Sequence, residues 1–328
     1  MFLPTVYLVA LVLMILSMFC WGSWANTQKL TGKWRFELFY WDYTWGVLLT
    51  AVVLGLTLGR TDAASPDSFF QNLSSADLTH FAYAFFAGVI FNIANILIVA
   101  AIAIAGLAVA FPVGIGLALV IGSVLNYIIT PKGNPLMLFG GIALVCVAIM
   151  LDALAYRKLS SDVKVSKKGI VVSLLGGFAM GLFYPLVAKA LSGDNHLGPY
   201  TVAFIFALGI VLSTIPLNYV FMRRPVAGPP VALGDYFRGA AAVHFWGVVG
   251  GAIWTVGTIS NFVASYAQMV GPATSYALGQ GATMVAAIWG VFIWKEFRGA
   301  GATAQRLLAL MFFFFLAGLT CVALAPLT

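Results

Sequence analysis

The chain is a succession of long apolar runs separated by short polar breaks. Runs with almost no charge lie near residues 4–27, 41–59, 81–105, 107–129, 135–156, 170–191, 200–222, 240–265, 270–294 and 305–326. Each reaches the length of about 20 residues that a helix needs to cross a bilayer core, so the pattern predicts ten transmembrane spans. Glycine and proline occur inside the runs, at Gly88, Pro112, Gly114, Gly116, Pro185, Gly250, Gly251, Gly279 and Gly281, as membrane helices tolerate and soluble ones seldom do. Between the second and third runs, Ser68 to Leu78 mixes Phe69, Phe70, Leu73 and Leu78 with polar residues and predicts a short interfacial helix. The first run has no basic segment ahead of it and continues into polar Asn26–Lys29, so it reads as a span and not as a cleaved leader.

Composition sharpens this picture. Of 328 residues, 62% are hydrophobic and 8% charged, with a mean hydropathy of +1.01. A surface so poor in charge is insoluble in water, since globular domains carry about 25% charged residues. Soluble nucleotide-dependent enzymes, nucleic-acid binders and disordered scaffolds are therefore poor fits. The expectation is an all-α integral membrane protein with one transmembrane domain over residues 1–328. Cys20, Cys146 and Cys321 all fall within apolar runs and read as small buried hydrophobes.

The net charge of +7 is explained by topology and needs no acidic partner. All basic residues except Arg60, Lys132 and Lys189 fall in the odd-numbered loops or at their edges. By the positive-inside rule these loops are cytoplasmic and both termini are outside. The acids Asp62, Asp67, Asp77 and Asp194 fall on the outer side.

The two halves of the chain also echo each other at an interval of about 160 residues. Gly22 through Lys29-Leu-Thr-Gly32 resembles Gly181 through Lys189-Ala-Leu-Ser-Gly193, and Asp42-Tyr43-Thr44 resembles Pro199-Tyr200-Thr201. His80-Phe81 with Ala87-Gly88 resembles His244-Phe245 with Gly251-Ala252, and Gly114-x-Gly116 resembles Gly279-x-Gly281. Five spans separate the copies. An odd number reverses the membrane sense, so the expectation is two inverted five-helix repeats, about 1–160 and about 165–328, as in secondary transporters.

Chemistry is then sought among polar groups in mid-span, where an uncompensated amide costs several kcal/mol. Asn92 and Asn95 share one helical face of span 3. Trp254, Thr258 and Asn261 occupy span 8; Tyr276 and Gln280 lie in span 9, Tyr184 in span 6 and Trp24 in span 1. Together they describe a cavity that hydrogen-bonds a small, polar, uncharged solute and stacks rings against it. The competing reading is interhelical packing glue. Candidates for proton coupling are Lys189, Asp42, His80 and His244. No HExxH pair, GxSxG elbow or GxxxxGK[ST] loop occurs. The chain reads as no enzyme, with no cofactor, no metal site and no nucleic-acid partner; its partners are a small-molecule substrate, a proton or other coupling ion and the lipid bilayer. The sequence leaves pairing into a homodimer open.

Gly22-Ser23-Trp24-Ala25, Tyr40-x-Asp42-Tyr43-Thr44, Leu56-Thr57-Leu58-Gly59, Leu125-Asn126-Tyr127, Gly257-Thr258 with Asn261-Phe262, Gln280, Trp289-Gly290 and Glu296-Phe297-Arg298 resemble, in order along the whole chain, the ureide permeases. These form part of the drug/metabolite transporter superfamily. The resemblance implies ten helices in two inverted repeats and proton-coupled import of heterocyclic amides such as allantoin or uracil. It points to Asn95, Thr258, Asn261 and Gln280 as binding residues. The long cytosolic loop of the plant members is reduced here to Arg157–Gly169, which implies a compact member in a bacterial inner membrane. Phe111 and Ala277 stand where polar residues are expected, which leaves the solute open. The alternatives are a sugar porter or an exporter of the same superfamily and, from another class, an integral-membrane enzyme.

Overall fold

A computed structural model describes residues 1–60, 68–159 and 167–328 of the chain. Asp62, Asp67 and Lys164, which enter the charge pattern, lie outside the described residues. Among the described residues ten helices are long and apolar enough to cross a membrane: α1 (Tyr7–Leu30), α2 (Phe36–Arg60), α3 (Leu78–Ala105), α4 (Pro112–Ile129), α5 (Pro135–Leu159), α6 (Lys167–Ala190), α7 (Pro199–Arg223), α8 (Ala241–Tyr266), α9 (Pro272–Ile293) and α10 (Ala302–Leu327). Among the described residues there is no strand. The ten predicted spans are therefore present, with ends displaced by a few residues. The expected interfacial helix forms at Phe69–Ser75, with Phe69 buried and Phe70 exposed.

Local chemistry sets the helix starts. Asn134 Oδ1 accepts the backbone N–H groups of Leu136 at 3.0 Å and Met137 at 3.3 Å, capping α5. Pro199 and Pro272 open α7 and α9, where a missing N–H costs nothing.

The fourth and ninth spans depart from regular helix. Gly106 adopts φ +74°, so the segment predicted as one span from 107 begins with a detached turn, Leu107–Ala110. A π-helical turn, Phe111–Ile115, follows before the regular helix Gly116–Ile129. In α9, Pro272–Gly279 stops at Gln280-Gly281, Ala282–Ile288 resumes, and a π-helical turn closes it at Trp289–Ile293. These are the two spans that carry the Gly-x-Gly pairs. Of the glycines in this region, Gly122 lies against the Tyr276 ring, whereas Gly116 faces open space and is not a close-packing site.

The strongest packings join α3 to α6, α8 to α1, α2 to α8, α7 to α3, α4 to α6 and α9 to α1, and also α5 to α10, α2 to α7 and α4 to α9. Exchanging each helix n for n+5 returns the same set. The closest approaches follow the same rule. A Cβ on Gly88 would stand 2.1 Å from the Phe206 carbonyl oxygen, and one on Gly251 2.0 Å from that of Tyr43. Gly46 and Gly209 meet the Val248 and Phe85 carbonyl oxygens in the same way, at 2.2 Å each. The interval from Gly88 to Gly251 equals that from Gly46 to Gly209.

Both termini lie on one face of the bundle. Phe2 N donates to Leu58 O and Asn134 N to Ala325 O, each at 2.8 Å, and Asn72 Nδ2 reaches His196 O at 2.9 Å. The basic loops gather on the other face, where Arg35 donates to Pro229 O at 2.7 Å and to Ala227 O at 2.9 Å.

Because Gly88 and Gly251 touch backbone, which cannot step aside, Gly88→Leu and Gly251→Leu are each expected to cost at least about 1–3 kcal/mol. Gly116→Ala is expected to melt like the unaltered protein. Thermal melts in detergent followed by size-exclusion chromatography check both.

Candidate functional site

A cavity of about 380 Å³ lies between α1, α3, α6, α8 and α9. Its deep wall is aromatic. Trp254 lies 4.6 Å from Phe91, stacks on Phe206 at 6.1 Å and on Trp21 at 6.3 Å, and Phe183 meets Phe91 edge-on at 5.3 Å. Phe91 and Trp254 stand at the same sequence interval as Gly88 and Gly251, so corresponding helices of the two halves meet ring to ring. Toward the basic face the lining passes to Gln28, Phe36, Ile102 and Ala286. A second hollow of about 230 Å³ shares Gly22, Ala25, Ile102, Thr283 and Ala286 with the first and extends to Lys29, Trp294 and Glu296 on that face.

Toward the opposite face the way is blocked. Tyr184, Phe206, Phe262 and Tyr276 are fully buried and pack ring against ring. The Tyr184 hydroxyl donates to Asn261 Oδ1, and Asn261 Nδ2 donates to Ser17 Oγ at 3.1 Å and Ser275 O at 2.9 Å. Tyr276 donates to Ala118 O at 3.1 Å. Beyond this plug a separate hollow of about 590 Å³ opens among Lys132, Ser192, His196, Gln268 and Tyr266.

The structure divides the sequence candidates by whether their hydrogen-bonding capacity is already spent. Trp24, Asn95, Trp254 and Gln280 line the cavity. Asn95 Nδ2 donates to the Tyr40 hydroxyl at 3.0 Å, and that hydroxyl donates to Asn92 Oδ1 at 2.7 Å. The relay fixes the Asn95 amide and leaves its Oδ1 free to accept. Gln280 sits at the break in α9, and its side-chain amide has no hydrogen-bond partner among the described residues.

Asn92, Tyr184, Asn261 and Tyr276 do not line the cavity. Asn92 Nδ2 is used by Ser213 Oγ at 2.8 Å and Thr214 Oγ1 at 3.0 Å, which ties α3 to α7. Thr258 stands one layer back: its Oγ1 accepts the Trp21 indole N–H at 3.0 Å and so orients that ring against Trp254. Sequence reading missed Trp21, Gln28, Phe36, Phe91, Met180, Phe183 and Thr283 in the lining. The one sequence signal for Phe91 is that it precedes Trp254 by the interval that separates Gly88 from Gly251.

None of the four proton-coupling candidates lines the cavity. Asp42 and His244 nevertheless meet: Asp42 Oδ2 lies 2.8 Å from His244 Nδ1, and Asp42 Oδ1 accepts from Tyr236 at 2.6 Å. The trio fastens the basic-face ends of α2 and α8. Burial and the bond to Asp42 raise the Tyr236 hydroxyl above its ordinary range. His80 Nε2 lies 3.0 Å from Ser192 O on the far face. Lys189 is exposed, with its ammonium 5.5 Å from the Tyr83 ring. On the basic face a second fastening joins three helices. Glu296 accepts from Lys29 at 2.9 Å and from Tyr156 at 2.8 Å. Burial alone would raise its carboxyl, but these two bonds outweigh burial and hold it below the usual range. Among the described residues no three His, Cys, Asp or Glu side chains converge to hold a metal ion.

Aromatic walls and unspent amides line a cavity inside a helical bundle closed toward one face, and similarity to known permeases supports a membrane transporter of small metabolites. The ureide permease family model matches residues 39–170. Ureide permease 2 of Arabidopsis thaliana is 23% identical, over 94% of each chain, and ureide permease 3 of the same plant is 28% identical over 66% of this chain and 73% of its own. A putative ribose uptake protein, RbsU, of Latilactobacillus sakei is 22% identical over 74% of this chain and 79% of its own. A solved structure described as "Crystal structure of protein" shares the fold, with a TM-score of 0.58 at 12% identity over 94% of this chain and 95% of its own. The chain is a homologue of the ureide permeases.

Asn92→Ala and Asn261→Ala strand buried partners and are expected to cost about 1–3 kcal/mol of stability each. Gln280→Ala strands none and is expected to cost less stability than either asparagine substitution; denaturation in detergent separates the two groups. The Glu296 fastening has a pH signature. A carboxyl held low stabilises the fold above its unfolded pKa and loses that contribution as pH falls through the folded value. The gap in melting temperature between the unaltered protein and Glu296→Gln should therefore close as pH drops below about 4.

Proposed function

We propose that the protein is a secondary active transporter, driven by a proton gradient, that moves a small, polar, uncharged metabolite such as a ureide or a nucleobase. One observation carries this reading: the cavity wall offers Asn95 Oδ1, the whole Gln280 amide and broad rings at Trp24, Trp254 and Phe91, with no acid, histidine or cysteine among the described lining residues. A carboxamide both donates and accepts, which matches a cyclic amide presenting N–H beside C=O. Flat rings match a planar solute. An apolar wall without an ionisable group disfavours a charged one. The absence of acid or base from the lining also weighs against an integral-membrane enzyme, which needs reactive groups aimed into its cavity.

The mechanism follows from the packing. Two inverted five-helix repeats, α1–α5 and α6–α10, hold the solute between them and rock about the Phe91–Trp254 contact. The exchange of n for n+5 in the packing set and the equal intervals of Gly88–Gly251 and Gly46–Gly209 support the repeat. Here the cavity faces the basic loops while Tyr184, Asn261 and Tyr276 seal the other side. In the alternate state that plug opens and the basic face closes over the cavity. Orientation follows the positive-inside rule, with the basic face in the cytoplasm of a bacterial cell and both termini outside the inner membrane.

A sugar porter is the second reading. It is favoured by the resemblance to a protein named for ribose uptake and by the fact that indole rings also stack on sugars. Uptake of labelled uracil, allantoin, ribose and glucose into proteoliposomes, with and without an inward proton gradient, tests both. The expected result is accumulation of a cyclic amide only with the gradient; accumulation of a sugar alone moves the assignment to the second reading. Loss of one solute hydrogen bond in Asn95→Ala or Gln280→Ala, about 0.5–1.5 kcal/mol, should weaken solute binding roughly twofold to tenfold.

A further inference from the structure

Asp152 is the buried acid that no other residue explains. It lies on α5 near the basic face, is 7% exposed, and its Oδ1 is buried without a hydrogen-bond partner. Among the described residues the other buried acids, Asp42 and Glu37, are paired. Both oxygens of Asp42 are taken by Tyr236 and His244, and Glu37 is held by Arg35 at 2.9 and 3.1 Å. Asp152 instead lines the 230 Å³ hollow together with Lys29, Tyr156, Trp294 and Glu296, and this hollow shares five residues with the main cavity. The charged and titratable groups facing it are therefore Lys29 from α1, Tyr156 from its own helix and Glu296 from beyond α9. Its remaining neighbours there carry no charge: Ile102 of α3 and Ala286 and Ala287 of α9 are apolar, and the polar Asn26 and Thr283 donate elsewhere, to Ser23 O and Gln280 O at 3.0 Å each, while Arg157 and Lys158 on its own helix are exposed.

From this placement we infer that Asp152 takes up and releases the coupling proton, and that the Lys29–Glu296 pair reports its state to the solute cavity. The inference rests on the proton-driven reading above. An ionised carboxylate without a donor is costly in such a wall, whereas a protonated one needs no counter-charge. A metal cation is disfavoured because the Lys29 ammonium occupies the same hollow. The response is a competition. With Asp152 protonated, Lys29 stays on Glu296, as here, at 2.9 Å. When the proton leaves through the hollow to the basic face, the new carboxylate attracts the same ammonium. Lys29 lies on α1, next to Gln28 and about one turn beyond Trp24 and Ala25, all three of which line the solute cavity. Moving it shifts the wall against which the solute stacks, so proton and solute sense each other through one helix.

Three measurements test this. In proteoliposomes, Asp152→Asn is expected to lose gradient-driven accumulation while solute exchange in the absence of a gradient persists and no longer depends on pH. In infrared spectra of the purified protein, the carbonyl band of a protonated carboxylic acid should be present, shift in Asp152→Glu and vanish in Asp152→Asn. The Asp152→Glu spectrum also serves if the asparagine variant fails to fold. Accumulation by Asp152→Asn equal to that of the unaltered protein, or an infrared band indifferent to both substitutions, overturns the assignment. Accumulation by the unaltered protein under a sodium gradient alone overturns it as well. If the unaltered protein exchanges solute but no proton gradient concentrates it, the coupling fails and transport stands. If it exchanges nothing, the transport reading itself falls and takes the assignment with it.

Discussion

Inside a bilayer no water is available to satisfy a stray polar group, and the rest of this structure depends on that constraint. It forces the backbone into helices, because only a helix satisfies its own N–H and C=O groups while crossing. It also forces every mid-span side-chain amide either to find a protein partner or to face a cavity. Asn92 and Asn261 take the first course: both are buried, and their bonds tie α3 to α7 and α8 to α1, α6 and α9. Asn95 and Gln280 take the second, and the bonding capacity they leave unused marks the site. One residue type at similar membrane depth therefore serves two ends, decided by whether a partner lies within reach.

The same constraint explains the glycines. Hydrophobic burial does not pull helices together in lipid, so association depends on close packing and on hydrogen bonds between helices. Gly88, Gly209, Gly46 and Gly251 bring the backbones of α3 with α7 and α2 with α8 into direct contact. Around these four points the bundle is tight, and against it α1 and the broken α9 enclose an open space. Gln280 stands at the break in α9 and lines that space together with Thr283 and Ala286. Gly22, Gly177 and Gly141 meet the carbonyl oxygens of Ala282, Gly114 and Gly318 in a similar way, so close backbone contact also joins α1 to α9, α6 to α4 and α5 to α10. Both fastenings on the basic face, Asp42–His244–Tyr236 and Lys29–Glu296–Tyr156, sit on the side toward which the cavity opens.

Much of the fold was legible in the sequence, and for a physical reason. Crossing about 30 Å of hydrocarbon requires an unbroken apolar run, so span number and position are written in local composition. The interruption before α4 was not legible, because Gly106 is one of 34 glycines and its positive φ is a property of the packed chain. The expected repeat rests on spacing, and the ring contact of Phe91 with Trp254, two residues at the interval of Gly88 and Gly251, became visible only in the packed structure. The site was half legible. Polar residues in apolar runs stand out, so Asn95 and Gln280 were found, but their spent counterparts stand out equally. Trp21, Phe91 and Phe183 were hidden because aromatic residues are ordinary in a chain that is 14% aromatic.

By itself, then, the sequence determined that the chain needs lipid as solvent, that it crosses ten times, which loops share a face and which few polar groups must matter somewhere. Those properties depend on solvation of single residues and short segments. Only the tertiary structure decided which of those groups are satisfied by a neighbour, that Asp42 meets His244, that Asp152 is left without a partner and that the cavity opens toward the basic face. Such properties arise from pairs of groups far apart in the chain, and whether a polar atom is bonded or free depends on what another helix places within about 3 Å of it.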